Sequence, residues 1–281
     1  SIKNIRIINS YENVRKEEGW ARDKKNDYKY ENEKDIKKCK IIINNKKLSF
    51  CYFYKFNKQG KYTIKYMFSK NLTNINYMFY KCKSLTNINL SNFNLQNVTD
   101  MACMFYHCNS LKNVDLSNLN PQNLIDMREI FFNCYSLENI NLSNFNAQNL
   151  TNMSYMFYNC NSLRKIDLTN FNTQNVIDMS NLFYNCDSLQ IIDLSSFNTK
   201  NVIDMRYMFY GCKSIKNIDL TKFNTNNVKH MNYMFYECNS LENIDLSNFN
   251  TQNVINMNRM FYGCKSLKNI DLSNFNTQNI I

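Results

Sequence analysis

The chain has 281 residues, with 4 Gly, 1 Pro and 14% aromatic side chains, a composition that excludes collagen-like and disordered proteins. Its formal net charge of +11 is unevenly distributed: residues 1–81 carry 20 basic and 8 acidic side chains, whereas residues 82–281 carry 14 and 15. Because the second part is nearly neutral, we expect no nucleic-acid partner there. The sequence has no run of 18 apolar residues, so it predicts no membrane span.

Residues 1–39 are predicted to be a charged lead-in or linker. Residues 1–38 hold 19 charged side chains and the only tryptophan, Trp20. The sequence starts without Met and without the apolar core of a signal peptide, so we expect a mature form or an excised fragment. The basic segment 1–81 is also a candidate for polyanion binding, with an affinity that would fall steeply with salt.

Residues 40–70 have the pattern of a small β-meander. The runs KIIINN, KKLSFCYFYKF and KYTIKYMF indicate three strands joined by NNKK and NKQG turns. A repeat array needs a cover over its first unit, so we interpret this segment as an N-terminal cap. A small binding domain is the alternative.

Residues 71–281 consist of tandem repeats with one constant period. One unit, residues 161–186, reads NSLRKIDLTNFNTQNVIDMSNLFYNC, and a cysteine closes every unit: Cys82, Cys108, Cys134, Cys160, Cys186, Cys212, Cys238 and Cys264. In KIDL, apolar and polar residues alternate as in a half-buried strand. From Val176 to Cys186 the apolar spacing predicts a short helix, with Asp178 as its N-cap.

A single unit is too small to be stable alone, because its few apolar side chains do not offset the conformational entropy of the ordered chain. Stacked units share strand hydrogen bonds and cover each other's open sides. The sequence therefore predicts an α/β fold. It is a solenoid of about eight coils, with a parallel β-sheet on one side, short helices on the other and a small N-terminal β cap.

The cysteine row is interpreted as buried free thiols. Equivalent residues of adjacent coils would lie about 4.8 Å apart, and a straight row does not converge on one point as four zinc ligands do. Parallel side chains also do not meet the geometry of a disulfide. The paired turn asparagines of each unit, such as Asn172 and Asn175, are interpreted as ladders that satisfy the turn backbone.

The recurring pattern LxxIDLSxFNTxNVxxMxxMFYxC resembles the 26-residue bacterial surface protein repeat, in the BspA-like branch of the leucine-rich repeats. The resemblance covers residues 71–281 and implies a right-handed coil with a parallel sheet on one face. It also implies protein binding and adhesion at a cell surface. Two features depart from ordinary leucine-rich repeats: Phe stands where an Asn usually closes the turn, as at Phe145 and Phe171, and Met is frequent.

The sequence contains no recognisable catalytic set. The two histidines, His107 and His230, lie in different units at different offsets. There is no Gly-rich phosphate loop and no paired metal-ligand spacing. We therefore expect no enzymatic activity, no cofactor and no bound metal.

An acidic row on the strands is the first candidate binding surface. It consists of Asp115, Asp167, Asp193, Asp219, Asp245 and Asp271, each followed two residues later by Ser or Thr. Aspartates about 4.8 Å apart repel one another. The row is either an anionic strip for a basic peptide or cations, or a solvated row that prevents aggregation.

A variable position in the predicted helical segment is the second candidate. It holds Tyr77, Cys103, Glu129, Tyr155, Asn181, Tyr207, Tyr233 and Arg259, while the core positions hardly change. We expect Tyr155, Tyr207 and Tyr233 to contribute to partner choice, because Tyr has an apolar body and a polar tip. A tyrosine three residues later recurs in nearly every unit and is interpreted as packing between neighbouring segments.

The sequence thus favours a non-catalytic protein-binding or adhesion scaffold with an unidentified protein partner. The alternative is a structural protein that assembles end to end through its C-terminal edge strand. The compartment stays open: the resemblance implies a cell surface, and free cysteines without a visible signal peptide fit the cytoplasm equally well.

Overall fold

The computed structural model of the chain describes residues 4–23, 27–68, 72–90, 92–117, 119–143 and 145–280. Its N-terminal part contains β1 (Asn4–Arg6), α1 (Tyr11–Glu17), a 3₁₀ turn (Asp27–Lys29), α2 (Glu33–Ile36), β2 (Lys40–Ile43), β3 (Lys46–Leu48), β4 (Phe53–Lys55) and β5 (Ile64–Met67). The repeats contribute one short strand each: β6 (Asn87–Asn89), β7 (Asn113–Asp115), β8 (Asn139–Asn141), β9 (Lys165–Asp167), β10 (Ile191–Asp193), β11 (Asn217–Ile218) and β12 (Asn243–Ile244).

The repeats stack in line as a solenoid. Strands β6, β7 and β8 pair in parallel and lie one repeat apart in sequence, so that Ile88, Val114 and Ile140 lie opposite one another. The pairs β9–β10 and β11–β12 follow the same register. A second column of parallel bridges runs along another side of each coil, from Asn74 to Asn256 in steps of one repeat. Neighbouring coils therefore share backbone hydrogen bonds on two sides.

The short helix predicted in each unit is wrong. In the coil that ends at Cys186, Asn181 and Asn185 have left-handed backbone angles, with φ of 57° and 52°. Alternate N–H groups leave the coil: Asn181 N–H donates to Arg206 O (2.9 Å) and Phe183 N–H to Met208 O (2.9 Å). Tyr184 N–H donates to Asn181 O (3.2 Å) and Cys186 N–H to Phe183 O (3.1 Å), and both bonds close tight turns within the coil. Since an α-helix bonds each N–H to a carbonyl of its own chain segment, these coils consist of strands and turns.

Stacked phenylalanines form the centre of the repeat core. Phe79, Phe105, Phe131, Phe157, Phe183, Phe209, Phe235 and Phe261 follow one another with ring centroids 5.4–5.7 Å apart and planes within 13° of parallel. Offset stacking of this kind stabilises beyond area burial alone. The helix-like apolar spacing of the sequence therefore marks residues that point inward from turns.

All eleven cysteines are free thiols. The row from Cys108 to Cys264 donates from Sγ to the carbonyl of a phenylalanine in the preceding coil, as Cys134 does to Phe105 over 3.2 Å. Burial raises the pKa of these thiols, Cys134 among them. No group of three potential metal ligands occurs among the described residues.

In the structure, the predicted lead-in (residues 1–39) and the predicted cap (residues 40–70) contribute strands that pair with each other. Strand β1 pairs antiparallel with β4, and β2 pairs with both β3 and β5. Ile7, Ile8 and Val14 are buried. The charged side chains lie at the periphery, where Arg6 pairs with Glu17 at 2.7 Å. Residues 4–23 thus pack against the first coils, which the high charge of this segment concealed.

Two asparagines of this N-terminal region close the open edge of the first coil. In later coils the carbonyls of Ala102 and Met104 accept N–H groups from the coil before them. The equivalent carbonyls of the first coil belong to Asn76 and Met78. Asn76 O accepts from Asn32 Nδ2 at 2.7 Å, and Met78 O accepts from the backbone N–H of Asn9 at 2.7 Å. These donors take the place of a preceding coil.

Within the described part of the chain, no helix is long and apolar enough to cross a bilayer.

Candidate binding surface

The six predicted aspartates lie in a row, and each closes the turn that follows. Five of them lie at or directly after the end of a repeat strand, and Asp271 occupies the equivalent position of the last coil. The Oδ1 atom accepts the backbone N–H two residues later, as Asp193 does from Ser195 (2.9 Å) and Asp219 from Thr221 (2.9 Å). The same bond recurs at Asp115, Asp167, Asp245 and Asp271. Hydrogen bonds from Thr221 lower the pKa of Asp219, and the pKa of Asp193 is lowered in the same way. The recurring Ser or Thr is therefore the partner of the carboxylate in an Asx turn.

The variable position lies in a turn with a left-handed backbone, and no helix contains it. Tyr155, Tyr207 and Tyr233 have φ of 57°, 57° and 59°. The angle φ is also positive at this position in every other described coil, at Tyr77, Cys103, Glu129, Asn181 and Arg259. This conformation costs about 1–2 kcal/mol for residues other than Gly. The bonds between coils, such as Tyr207 N–H to Asn232 O at 3.0 Å, hold the backbone there.

Each tyrosine at the variable position contacts the ring three residues later. The centroids of Tyr155 and Tyr158 lie 5.7 Å apart, those of Tyr207 and Tyr210 5.9 Å, and those of Tyr233 and Tyr236 5.5 Å. The second rings also stack from coil to coil, with Tyr158, Tyr184, Tyr210 and Tyr236 separated by 4.3–4.7 Å. We call the set of Tyr155, Tyr158, Tyr184, Tyr207, Tyr210, Tyr233 and Tyr236 the tyrosine face. All seven side chains are half-buried.

The tyrosine face is rimmed by arginines. Arg206 pairs with Asp204 at 2.8 Å, and its side chain is 48% exposed. The guanidinium of Arg259 lies over the ring of Tyr233, 6.0 Å from its centroid. Tyr and Arg are the residues that protein interfaces use most to anchor a partner. The arrangement offers a large, pre-positioned contact area, because stacked rings have little side-chain freedom left to lose.

The N-terminal segment covers the same columns of residues on the first coils. Tyr11 and Trp20 lie against Tyr77, with ring centroids 5.6 and 6.0 Å apart. Val14 is fully buried in a cluster with Tyr80, Ala102 and Cys103. The chain therefore contains one occupied example of this surface, and Tyr155, Tyr207 and Tyr233 extend it over the later coils.

A second acidic column lies at the bridge positions and includes Asp178, the predicted helix N-cap. It contains Asp100, Asp126, Asp178 and Asp204, and each Oδ1 accepts the N–H two residues later. These residues cap turns instead. Burial raises the pKa of Asp100 to about 6, and the pKa values of Asp126 and Asp204 are raised for the same reason.

The two histidines remain apart in the structure. His107 contacts Asn133, and His230 occupies a bridge position between Asp204 and Asn256. The residues that sequence reasoning missed are Asn9 and Asn32, which cap the first coil. In a chain this rich in asparagine, neither carries a signal that distinguishes it.

Comparison with known proteins gives one family match. The family described as "Mycoplasma protein of unknown function, DUF285" matches residues 47–169, 112–217 and 189–281, so the overlapping matches extend from residue 47 to residue 281. None of the curated proteins matches the chain.

Solved structures of low similarity are also found. A leucine-rich repeat protein from Eubacterium ventriosum is 14% identical, with a TM-score of 0.39, over 69% of this chain and 62% of its own. A leucine rich cell surface protein from Faecalibacterium prausnitzii is 17% identical, with a TM-score of 0.34, over 69% and 61%. The chain thus spans about three fifths of the length of these two proteins. At such scores the fold assignment depends on the strand pairing within the chain itself.

Proposed function

The chain belongs to the family described as Mycoplasma protein of unknown function, DUF285, and we propose that it is a non-catalytic scaffold that binds another protein through the tyrosine face. The observation that carries the proposal is the row of three tyrosine pairs at Tyr155, Tyr207 and Tyr233, half-buried and in mutual contact. The proposed setting is adhesion at a cell surface, in keeping with the resemblance of the repeat to surface-protein repeats.

The backbone at the variable position supports this proposal. Asn and Asp adopt the left-handed conformation more readily than Tyr does, and Asn181 shows that Asn fits here. Tyr at three of the last five positions is therefore not the choice that best suits the backbone conformation. A residue kept at a conformational cost, with its ring at the surface, is better explained by contact with a partner.

The acidic row of the strands is not part of the proposed surface. Each of its carboxylates already accepts a turn N–H of its own chain, as Asp193 does from Ser195. In one coil Asn141 does the same with Ser143 at 3.2 Å, so the charge is dispensable for the turn. The row therefore supplies a matched control, because the exchange of Asp for Asn changes charge and keeps the turn bond.

The test is capture of a partner by three versions of the immobilised full chain. The parent is compared with Tyr155→Asn/Tyr207→Asn and with the control Asp193→Asn/Asp219→Asn. A protein captured by the parent is identified and purified, and its affinity is measured for all three versions. We expect at least tenfold weaker binding to the tyrosine variant, about 1.4 kcal/mol, and an unchanged affinity for the control.

Circular dichroism and the melting temperature establish that both variants fold. Equal affinity for all three versions would overturn the proposal, as would a loss confined to the aspartate variant. The second outcome would assign binding to the acidic row instead.

A further inference from the structure

We propose that the partner presents a short amphipathic helix to the tyrosine face, packed against Tyr155 and Tyr158 over the position of Asn181, in the way that α1 packs against Tyr77 and Tyr80 over Cys103. The inference rests on the proposed function and specifies the class of partner. It follows from an interface that already exists within the chain and that continues onto uncovered coils.

The existing interface shows which chemistry this face accepts. Helix α1 contributes Val14, which is fully buried against Tyr80, Ala102 and Cys103. Tyr11, at the start of the helix, lies against Tyr77. The contact is therefore an aliphatic and an aromatic side chain, one helical turn apart, on a tyrosine pair and two small residues of the next coil.

The same footprint recurs three repeats further along the solenoid. Tyr155 and Tyr158 occupy the positions equivalent to Tyr77 and Tyr80. The two pairs have matching geometry, with centroid separations of 5.7 and 5.4 Å and interplanar angles of 38° and 51°. Among the tyrosine pairs of the later coils, this is the pair whose next coil carries two short side chains at the positions beside the rings.

Those short side chains are Ser180 and Asn181, which stand for Ala102 and Cys103. Both are buried, so a helix docked here would contact the rings that flank them. The coils that follow Tyr207 and Tyr233 carry Tyr233 and Arg259 at the variable position, which leaves less room for a second chain. Among the later coils, the position of Asn181 therefore leaves the most room for a docked helix.

An arginine also occupies matching positions beside the α1 contact and beside the proposed site. Arg128 pairs with Asp126 at 2.6 Å and lies over the ring of Tyr30, 5.6 Å from its centroid. Its counterpart three repeats later is Arg206, which pairs with Asp204 in the same way. The Arg206 side chain is 48% exposed against 30% for Arg128. The partner helix is therefore expected to be followed by an aromatic residue that packs on Arg206.

One contact of the existing interface is not repeated. Lys81 donates to Glu18 at 2.6 Å, and its counterpart three repeats later is Asn159. The partner thus needs no carboxylate at the end of its helix, and a group that hydrogen-bonds an amide is sufficient.

The test uses a synthetic peptide with the sequence of residues 8–23, added to the full chain. NMR follows the ring protons of Tyr155 and Tyr158. Because the contact is far smaller than a standard interface, we expect saturable binding with a Kd of about 0.1–1 mM. A peptide with Val14→Asp should bind at least fivefold more weakly.

The decisive variant of the chain is Asn181→Tyr, whose larger side chain would occupy the space proposed for the partner helix. Tyr occupies the same left-handed position in four other coils, so this variant keeps the fold. We expect at least fivefold weaker peptide binding to Asn181→Tyr than to the parent. The inference is overturned if no saturable binding occurs, if Asn181→Tyr binds equally well, or if the shifts appear at Tyr77 and Tyr80 because the peptide has displaced α1.

These outcomes are separable from the proposed function. If the peptide fails but partner capture still depends on Tyr155 and Tyr207, the scaffold proposal stands and the helical class of partner is wrong. If neither the peptide nor the captured partner depends on tyrosines, both proposals fall.

Discussion

The side-chain amide of Asn32 donates to the backbone carbonyl of Asn76 over 2.7 Å, where every later coil receives a backbone N–H from its predecessor. Its Oδ1 atom accepts the N–H of Tyr11 at 2.9 Å, and the whole side chain is buried. One asparagine thus joins the start of α1 to the first coil. At this edge of the solenoid, the Asn32 side chain donates the hydrogen bond that a backbone N–H of the preceding coil donates elsewhere.

We predict that Asn32→Ala destabilises the chain by about 2–3 kcal/mol, because it leaves the Asn76 carbonyl and the Tyr11 N–H buried without their partner. Urea unfolding followed by circular dichroism measures the change. Gln190→Ala, at an exposed position on the strand side, is the control and should lie within about 0.5 kcal/mol of the parent. Equal stability of the two variants would show that the asparagine does not cap the coil.

A second prediction concerns the left-handed turn residue before each repeat cysteine. Gly211 has φ of 68°, and a Cβ built there collides with Oδ1 of Asn185. Gly211→Ala is expected to cost about 1–2 kcal/mol, chiefly through backbone strain, because the flexible Asn185 side chain can move away from the added Cβ. Gly60→Ala is the matched control, since Gly60 has no left-handed backbone and its Cβ would meet only Tyr62, at 3.9 Å.

Thermal melts of the two glycine variants decide the outcome. The control should be neutral or slightly more stable, because Ala restricts the unfolded chain. Should Gly211→Ala melt with the parent, the bonds between coils would not fix the turn as described.

The sequence is informative where a feature repeats and uninformative where it occurs once. The repeat period, the strand at KIDL and the free thiol at Cys134 follow from spacing and from the geometry of stacked strands, and the structure has all three. Asn9 and Asn32 act once each, through contacts distant in sequence. No local pattern identifies such a role.

The helix error has a physical cause. Apolar residues at Val176, Met179, Leu182 and Cys186 fit a helix, but two successive tight turns place the same residues on one side. The choice between them depends on where the N–H of Asn181 and Phe183 donates, and those acceptors belong to the next coil. A pattern within one unit does not contain that information. The tyrosine positions stay a prediction, which rests on the variability of that position from unit to unit in the sequence.

A third prediction follows from the burial of the thiols. Nine cysteines are buried, and Cys51 and Cys264 are half-buried. Burial raises the pKa of Cys51 and of the buried row alike, so thiolate is scarce at pH 8 and access decides the rate. A colorimetric thiol reagent should react with two groups in the folded chain and with all eleven in denaturant. If fewer than eleven cysteines react in denaturant, some thiols are crosslinked, which would contradict the structure.

The last prediction concerns Asp100, whose pKa is raised to about 6 chiefly by burial and further by Asp126, while Arg128 and hydrogen bonds from Ala102 and Asn76 lower it. An unfolded chain has a pKa near 3.9 for Asp. The folded chain therefore holds this proton more tightly, and between pH 4 and 6 the loss of the proton costs stability as pH rises. Above pH 6 the full cost of a buried carboxylate is present.

We expect Asp100→Asn to remove this cost, because the amide carries no charge and Asn152 occupies the same column with its own turn bond, from Ser154 at 2.9 Å. The difference in unfolding free energy between variant and parent should move by about 1–3 kcal/mol in favour of the variant between pH 4 and pH 7.5. Urea titrations at both pH values measure it, and any constant effect of the lost Asn76 contact cancels.

Asp219→Asn is the control of opposite sign. Hydrogen bonds from Thr221 lower the pKa of this exposed carboxylate, so its contribution is present at neutral pH and lost only as the pH falls below about 4. The control should therefore show no gain towards pH 7.5. A flat difference for Asp100→Asn across the same range would mean that the carboxylate is charged in the folded chain at no cost, and that water reaches the column through the turns.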